Sequence, residues 1–140
     1  MAKHEHFWFP GGVEGKSQIL TKEHGLIPIT DLQDSDLVWD GVEFVSHGGV
    51  VFLGCMENIT YDGVRASPGA YVYTIRRHAP IVFAIAEKQK IQCVRDERTE
   101  GYRAPDVKSQ TDVTGLYTIQ NCGSRHRFAC NGHLIHNLTV

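Results

Sequence analysis

The residues best suited to chemistry lie at the end of the chain, where His136 and Asn137 are followed by only three more residues. An asparagine can attack its own main-chain carbonyl carbon through its side-chain amide nitrogen, closing a succinimide and releasing the next residue. A preceding histidine can protonate the departing amine or polarise the carbonyl, because its pKa lies near neutrality. A His–Asn pair is more often an ordinary surface dipeptide, so the rest of the sequence must distinguish the two interpretations.

Size and composition exclude several classes of protein. A length of 140 residues suits one domain, and 41% hydrophobic with 21% charged residues is typical of a folded globular chain. The net charge of -2 provides no basic field for nucleic acid. The longest apolar run, residues 79–86, is too short to span a bilayer, and the first ten residues are not a signal peptide. We expect a soluble, cytoplasmic monomer with no cofactor, no membrane partner and no nucleic-acid partner.

The turn signals predict a mostly β protein. Short runs of Val, Ile, Phe, Tyr and Thr are separated by glycines and by Asp-Gly and Asn-Gly pairs, which favour tight hairpins. We predict a hairpin around residues 21–25, two-residue turns at Asp40-Gly41 and Asn131-Gly132, and a further Asp-Gly hairpin within residues 59–67. Residues 70–75 and 91–94 are predicted strands.

Two segments between the strands have a different pattern. Residues 79–90 are ambiguous, and the Ala, Glu, Lys and Gln of their second half favour a short helix. Residues 95–111 are charged, polar and interrupted by Gly101 and Pro105, which predicts a solvated loop.

The cysteines and histidines leave a metal-binding alternative open. Cys55, Cys93, Cys122 and Cys130 form no C-x-x-C pair, so we expect reduced, packed thiols rather than a zinc ribbon. Cys130, His133 and His136 are spaced by threes, which could provide three ligands. Alternate residues of a hairpin point to opposite faces, however, so we expect no metal site. A β interaction domain without any chemistry is the other alternative.

Three stretches of the sequence, in this order, resemble the motifs of the Hint family, the self-processing domains of inteins, bacterial intein-like proteins and hedgehog proteins. They read ILTKEHGLIPITDLQDSDLVWDGVEFVSHGGVVFLG, ITYDGVRASPGAYVY and LYTIQNCGSRHRFACNGHLIHN. The likeness covers residues 17–137 and is nearest to intein-like domains of phage replication genes. It implies an all-β fold, a flattened horseshoe of strands with pseudo-twofold symmetry, and a minimal domain without an endonuclease.

The resemblance also implies site residues and boundaries. His136 and Asn137 match the family's penultimate histidine and terminal asparagine, and His126 matches an upstream histidine that assists asparagine cyclisation. The implied domain is 12–137. Residues 1–11 and 138–140 would then be flanking, extein-like segments, and these segments of its own chain are the only partners expected.

The first half of the family's chemistry is missing from this sequence. Members carry a nucleophile in the slot that falls near residues 12–14, where this chain has none, so the upstream peptide cannot move onto a side chain. The Thr-x-x-His motif reads Ser67-Pro68-Gly69-Ala70, in which Ser67 could keep a hydrogen bond but Ala70 cannot replace the histidine. The family's closing Asp is Thr118.

The residue after the terminal asparagine is also altered. Leu138 stands where an acceptor Ser, Thr or Cys would be needed for splicing. The sequence therefore predicts a Hint domain that cannot splice and is at most capable of one cleavage, by cyclisation of Asn137. Such a protein acts once on itself and is not a turnover enzyme.

Overall fold

The computed structural model describes residues 11–61, 63–73, 78–80, 91–95, 98–103 and 107–137, with side chains for 11–61, 63–73 and 113–137. This part contains fourteen strands and a short 3₁₀ turn at Ile29–Asp31. The strands are β1 Val13–Glu14, β2 Gln18–Thr21, β3 Gly25–Pro28, β4 Val38–Trp39, β5 Phe44–Val45, β6 Val50–Tyr61, β7 Val64–Ala66, β8 Tyr71–Tyr73, β9 His78–Pro80, β10 Ile91–Arg95, β11 Arg98–Arg103, β12 Val107–Ile119, β13 Arg127–Cys130 and β14 His133–His136.

The strands form two sheets, which confirms the all-β prediction. The first is a closed sheet in the order β1-β12-β6-β7, closed where Val13 pairs with Ala66. The second has ten strands along the path β11-β10-β14-β13-β2-β4-β5; β3 adds to β2, β8 to β14 and β9 to β8. The beginning of the described chain lies in the closed sheet, and its end lies in the ten-stranded sheet.

The closing hairpin is packed on both faces. Phe128 of β13 and Ile135 of β14 belong to the larger hydrophobic cluster, whereas Ala129 and Leu134 belong to a smaller one with Trp39. Fully burying a large apolar side chain contributes about 1.5–3 kcal/mol. The strand that leads to the end of the described chain is therefore held rigidly.

Two of the predicted hairpins are confirmed at the level of turn geometry. Asn131 and Gly132 have φ of 49° and 85°, which is the conformation that a two-residue hairpin turn needs. The Asn131 side chain also accepts the Gln18 N–H at 2.7 Å and donates to the Gly63 carbonyl at 2.9 Å. In the second hairpin Tyr61 pairs with Val64, so only two residues separate β6 from β7.

The predicted two-residue turn at Asp40-Gly41 is wrong, although the hairpin exists. Trp39 pairs with Phe44, so the connection contains four residues, and of these only Gly41 has a positive φ, of 98°. The Asp40 carboxylate accepts the backbone N–H groups of Val42 and Glu43, each at 2.8 Å. An aspartate that caps its own turn in this way stabilises a longer connection than the Asp-Gly pair alone indicates.

The predicted loop over residues 95–111 is also wrong, because strand pairing extends through most of it. Strand β11 occupies Arg98–Arg103, and β12 begins at Val107. Gly101 pairs with Cys93 where the register shifts, so the glycine belongs to a bulge between paired strands. The short helix predicted in the second half of residues 79–90 falls in 81–90, outside the described residues. Within the part that is described, no helix is long and apolar enough to cross a membrane.

Candidate active site

Asn137 is completely buried just after β14 and is held at two points by the same turn. Its backbone N–H donates to the carbonyl oxygen of His126 at 2.9 Å. Its Oδ1 accepts the backbone N–H of Cys122 at 3.0 Å. Because a backbone N–H can only donate, the carboxamide oxygen must face Cys122, and this fixes the orientation of the Asn137 side chain.

His136 contacts the main-chain carbonyl that a cyclising asparagine would attack. Its Nδ1 lies 2.7 Å from the Asn137 carbonyl oxygen. A carbonyl oxygen only accepts hydrogen bonds, so Nδ1 carries the proton in this contact. A donor at this position polarises the carbonyl and stabilises the oxyanion that forms when the carbonyl carbon is attacked.

His126 lies beside this pair. Its ring is stacked on that of His136 with centroids 6.4 Å apart, and the Tyr71 ring lies 6.0 Å from His136. His126 has a φ of 57°, in the left-handed region that is sparsely populated by residues other than glycine. The structure thus brings together His126, His136 and Asn137, the three residues that the family motifs predict at the end of the domain. We call this group the second junction.

The turn that holds Asn137 is tied to a buried carboxylate. Arg125 Nη1 donates to Asp40 Oδ2 at 2.9 Å and to Glu43 Oε2 at 2.7 Å. Arg127 Nε donates to the Asp40 carbonyl oxygen at 2.7 Å. Burial pushes the pKa of Asp40 upward, but hydrogen bonds from the Glu43 and Val42 N–H groups and from Arg125 outweigh it and hold the pKa below its ordinary value.

The Cys122 thiol, in contrast, is not a nucleophile. Burial and the negative charge of Asp40 together raise its pKa to about 12, so the thiol is protonated at neutral pH. Cys122 therefore contributes its backbone N–H to the site, and its side chain serves for packing.

The residues around Gly11 and Gly12, which we call the first junction, are closely packed. A Cβ on Gly11 would lie 1.6 Å from Ser67 Oγ and 2.7 Å from the Ala70 backbone nitrogen. A Cβ on Gly12 would lie 2.8 Å from the backbone nitrogen of Tyr117. The Ser67 hydroxyl and the main chain of Ala70 and Tyr117 therefore occupy the space that a side chain at either glycine would need.

The two hydroxyl residues that the sequence named lie on this side of the molecule. Ser67 follows β7, and its N–H donates to the Gly12 carbonyl at 3.1 Å; Thr118 lies in β12 opposite Val51. Both hydroxyl oxygens are buried and have no hydrogen-bond partner within the described part of the chain. The structure places these two residues with the closed sheet, whereas the second junction belongs to the ten-stranded sheet.

The geometry lends no support to the metal-binding alternative. Cys130 and His133 pair across the closing hairpin, but among the residues whose side chains are described no three His, Cys, Asp or Glu residues are grouped to hold an ion. Burial raises the pKa of the Cys130 thiol to about 12, although the Ser17 side chain partly offsets this effect. The raised pKa disfavours the thiolate that a metal requires.

Solved structures with this architecture include inteins and intein-like domains. No protein-family model matches the sequence, and no curated protein matches it significantly. A DnaB intein from Synechocystis sp. superposes with a TM-score of 0.78 at 17% identity, over 91% of this chain and 98% of that one. The gp41-1 intein gives 0.67 at 21% identity, over 91% and 98%. A bacterial intein-like domain from Clostridium thermocellum gives 0.61 at 15%, over 91% and 99%. The chain has the Hint fold.

Within this Hint fold, two contributors to the site were missed by the sequence analysis. Asp40 was predicted only as a turn residue. Its charge, within the otherwise largely apolar stretch VWDGVEF, was the signal that could have indicated a further role. Cys122 was interpreted only as a packing residue, and nothing in its side chain indicates that its backbone N–H binds Asn137. The close approach of Gly11 to Ser67 has no local sequence signal.

Proposed function

We propose that this chain is a minimal Hint domain that does not splice and that cleaves itself once, after Asn137. The contact between His136 Nδ1 and the Asn137 carbonyl oxygen, at 2.7 Å, is the observation that carries the proposal. It places a hydrogen-bond donor on the oxygen that becomes negatively charged during cyclisation. Burial of the Asn137 side chain supports the proposal further, because it excludes competing water.

The proposed reaction is an intramolecular acyl transfer. Asn137 Nδ2 attacks the main-chain carbonyl carbon of the same residue, forming the new C–N bond of the succinimide. The bond from that carbon to the nitrogen of Leu138 breaks, and the proton lost from Nδ2 reaches the departing nitrogen. The products are a chain that ends in a succinimide and the free tripeptide 138–140.

Orientation supplies much of the proposed acceleration. The two hydrogen bonds from the turn fix the main chain of Asn137 and its carboxamide oxygen, so the nucleophile and the carbonyl need little further ordering. Well-oriented intramolecular reactions reach effective molarities of roughly 10⁵–10⁸ M. His136 would add polarisation of the carbonyl, and His126 would support the His136 ring by stacking.

At the first junction we propose that no reaction occurs. Gly12 has no side chain, and Ala70 has no proton donor, so neither the acceptor nor the acid of an acyl shift is available. Residues 1–11 would remain attached as a flank, the reacting domain would be 12–137, and these flanks would be its only partners. The motif VWDGVEF favours kinship with phage replication-gene domains, which is part of the same proposal.

Intact-mass spectrometry tests the proposed function. The purified protein is held at neutral pH with mild warming, and we expect slow loss of the tripeptide 138–140, with the succinimide trapped as a hydroxamate by hydroxylamine. Asn137→Ala should abolish the loss. The Asn131-Gly132 pair is an internal control, since cleavage there would release the longer peptide 132–140. An intact chain after several days would leave a β interaction domain without chemistry.

A further inference from the structure

Asp40 is a buried charge that has more hydrogen-bond partners than the capping of its turn requires. Its side chain is fully buried, which is rare for an aspartate that is not paired. Oδ1 accepts the N–H groups of Val42 and Glu43 and caps the turn. Oδ2 is not needed for this capping, and it binds Arg125 from a segment 85 residues further along the chain.

The partners of Asp40 lie on either side of His126. Arg125 binds the carboxylate, and Arg127 binds the main-chain carbonyl of the same aspartate. The guanidinium carbon of Arg127 also lies 5.0 Å from the centre of the Tyr73 ring, which limits its movement further. The left-handed residue His126 is thus fixed through both of its neighbours.

This fixed turn is the element that holds Asn137. The carbonyl of His126 binds the Asn137 N–H, and the N–H of Cys122 binds the carboxamide oxygen. A displacement of the turn would move both points of attachment together. Near-attack geometry is sensitive to such shifts, because a misplacement of about 1 Å can slow a reaction about 100-fold.

We propose that Asp40 is a positioning residue for the cyclisation of Asn137, acting through Arg125 and the turn at 122–127. The inference deepens the proposed function and rests on it. The buried carboxylate is the dominant anchor, because charge-assisted hydrogen bonds are about twice as strong as neutral ones. The contact of Arg125 with Glu43 is weaker support, since Glu43 is 59% exposed and such pairs are screened by solvent.

The decisive variant is Asp40→Asn, which keeps an oxygen for the turn and removes the charge that holds Arg125. We expect tripeptide release to slow about 10- to 100-fold at a temperature where the variant remains folded. Arg125→Gln should slow release similarly, and Arg125→Lys should recover part of the rate by retaining a cation.

A matched control is available in Asp36→Asn. Asp36 is also buried, caps a turn through the Gln33 N–H at 2.8 Å, and pairs with a basic side chain, His24, at 2.9 Å. It lies in the connection between β3 and β4, outside the 122–127 turn. We expect its substitution to leave the release rate within about twofold once both variants are folded, because it does not hold the turn.

A spectroscopic measurement separates this inference from the proposed function. Asp40→Asn should shift the amide proton resonances of Cys122 and Asn137, which report the two hydrogen bonds, and Asp36→Asn should not. If the unaltered protein never releases the tripeptide, the cleavage proposal fails, and the amide shifts alone decide whether Asp40 positions Asn137. Unmoved resonances in Asp40→Asn and Arg125→Gln, or equal slowing in Asp36→Asn, would overturn the inference. If Asp40→Asn does not fold, Arg125→Gln carries the test.

Discussion

The two junctions of the molecule differ in the chemical groups that fill them. At the second junction side chains fill the space: an imidazole touches the Asn137 carbonyl, and a second imidazole stacks behind it. At the first junction main chain and the side chains of Ser67 and Leu116 fill it without a titratable group, since any Cβ on Gly11 or Gly12 would collide with these atoms. A Hint fold can therefore keep its architecture while the groups available for chemistry differ between its two ends.

The buried polar side chains of the two junctions also differ in whether they have hydrogen-bond partners within the described part of the protein. At the second junction the carboxamide oxygen of Asn137 and the ring of His136 each have an identified hydrogen-bond partner. Beside the first junction, the hydroxyls of Ser67 and Thr118 are buried without a partner in the described part of the protein. Burying an unpaired hydroxyl costs roughly 1–3 kcal/mol. Such a cost is tolerated only where the surrounding packing compensates for it.

The comparison is tested most strongly at His136. We expect His136→Ala to slow tripeptide release by about 10²- to 10⁴-fold, because the donor on the Asn137 carbonyl is removed. Time courses by intact-mass spectrometry measure the rate. His24→Ala is the control, since His24 is 58% exposed in a remote turn. A His136→Ala rate close to that of the unaltered protein would remove the chemical distinction between the junctions.

The next largest effect is expected from adding a side chain at the first junction. Gly12→Ala and Gly12→Cys should each lower the free energy of unfolding by about 1–3 kcal/mol, because the new Cβ meets the Tyr117 backbone. Denaturant titration measures the change. Gly115→Ala is a suitable control in the same region, since its new Cβ would lie 3.2 Å from the edge of the exposed Phe52 ring.

Gly12→Cys also has a chemical outcome. We expect no release of the upstream peptide when Gly12→Cys, or Gly12→Cys combined with Ala70→His, is treated with a thiol. The reason is that the backbone of Tyr117 packs too closely against residue 12 for a side chain there to reach the upstream carbonyl. Efficient release would show that the first junction opens readily, and the two junctions would then differ only in the identity of their residues.

A smaller effect, with a defined pH dependence, is expected at Asp40. Its pKa is lowered in the folded state, so its contribution to stability is complete above the ordinary value of 3.8 and is lost as the pH falls through the lowered value. The melting temperature of Asp40→Asn should therefore lie several degrees below that of the unaltered protein at pH 5–7. The gap should narrow below about pH 4. A gap that persists unchanged in strong acid would argue against a native charge at Asp40.

The smallest effect is expected from the unpartnered hydroxyls. Thr118→Val keeps the shape of the side chain and removes a buried hydroxyl, so stability should stay constant or rise by up to about 1 kcal/mol. Thr21→Val is the matched control. Its hydroxyl donates to the Gly25 carbonyl and accepts the His24 N–H, so its loss should destabilise by about 1–3 kcal/mol. Destabilisation by Thr118→Val of the same size would show that Thr118 is satisfied after all.

Local chemistry made some of the fold predictable from the sequence. The Asn131-Gly132 turn follows from the few residue types that accept positive φ at successive positions. The strands at residues 98–103 and 107–111 were not predictable in this way, because their pairing with β10 and β6 depends on distant partners. The place of His126 beside Asn137 was predictable from the family motifs, and not from residue spacing. The link from Asp40 to Arg125 spans 85 residues and leaves no periodic signal.

The anchoring of Asn131 has a consequence for how the protein ages. Asn-Gly pairs are the usual weak points at which stored proteins deamidate: the backbone nitrogen of the glycine attacks the side-chain carbonyl carbon of the asparagine, a succinimide closes and ammonia leaves. The cleavage assigned to Asn137 forms a succinimide by the opposite attack, from the side-chain nitrogen onto the main-chain carbonyl carbon. Here the amide nitrogen of Asn131 donates to the Gly63 carbonyl and its oxygen accepts the Gln18 N–H, so the carboxamide is held at both ends and cannot turn freely toward the Gly132 nitrogen. The same hydrogen bonds that shape the closing hairpin would thus protect Asn131 from deamidation during storage, although its sequence context is the more labile one.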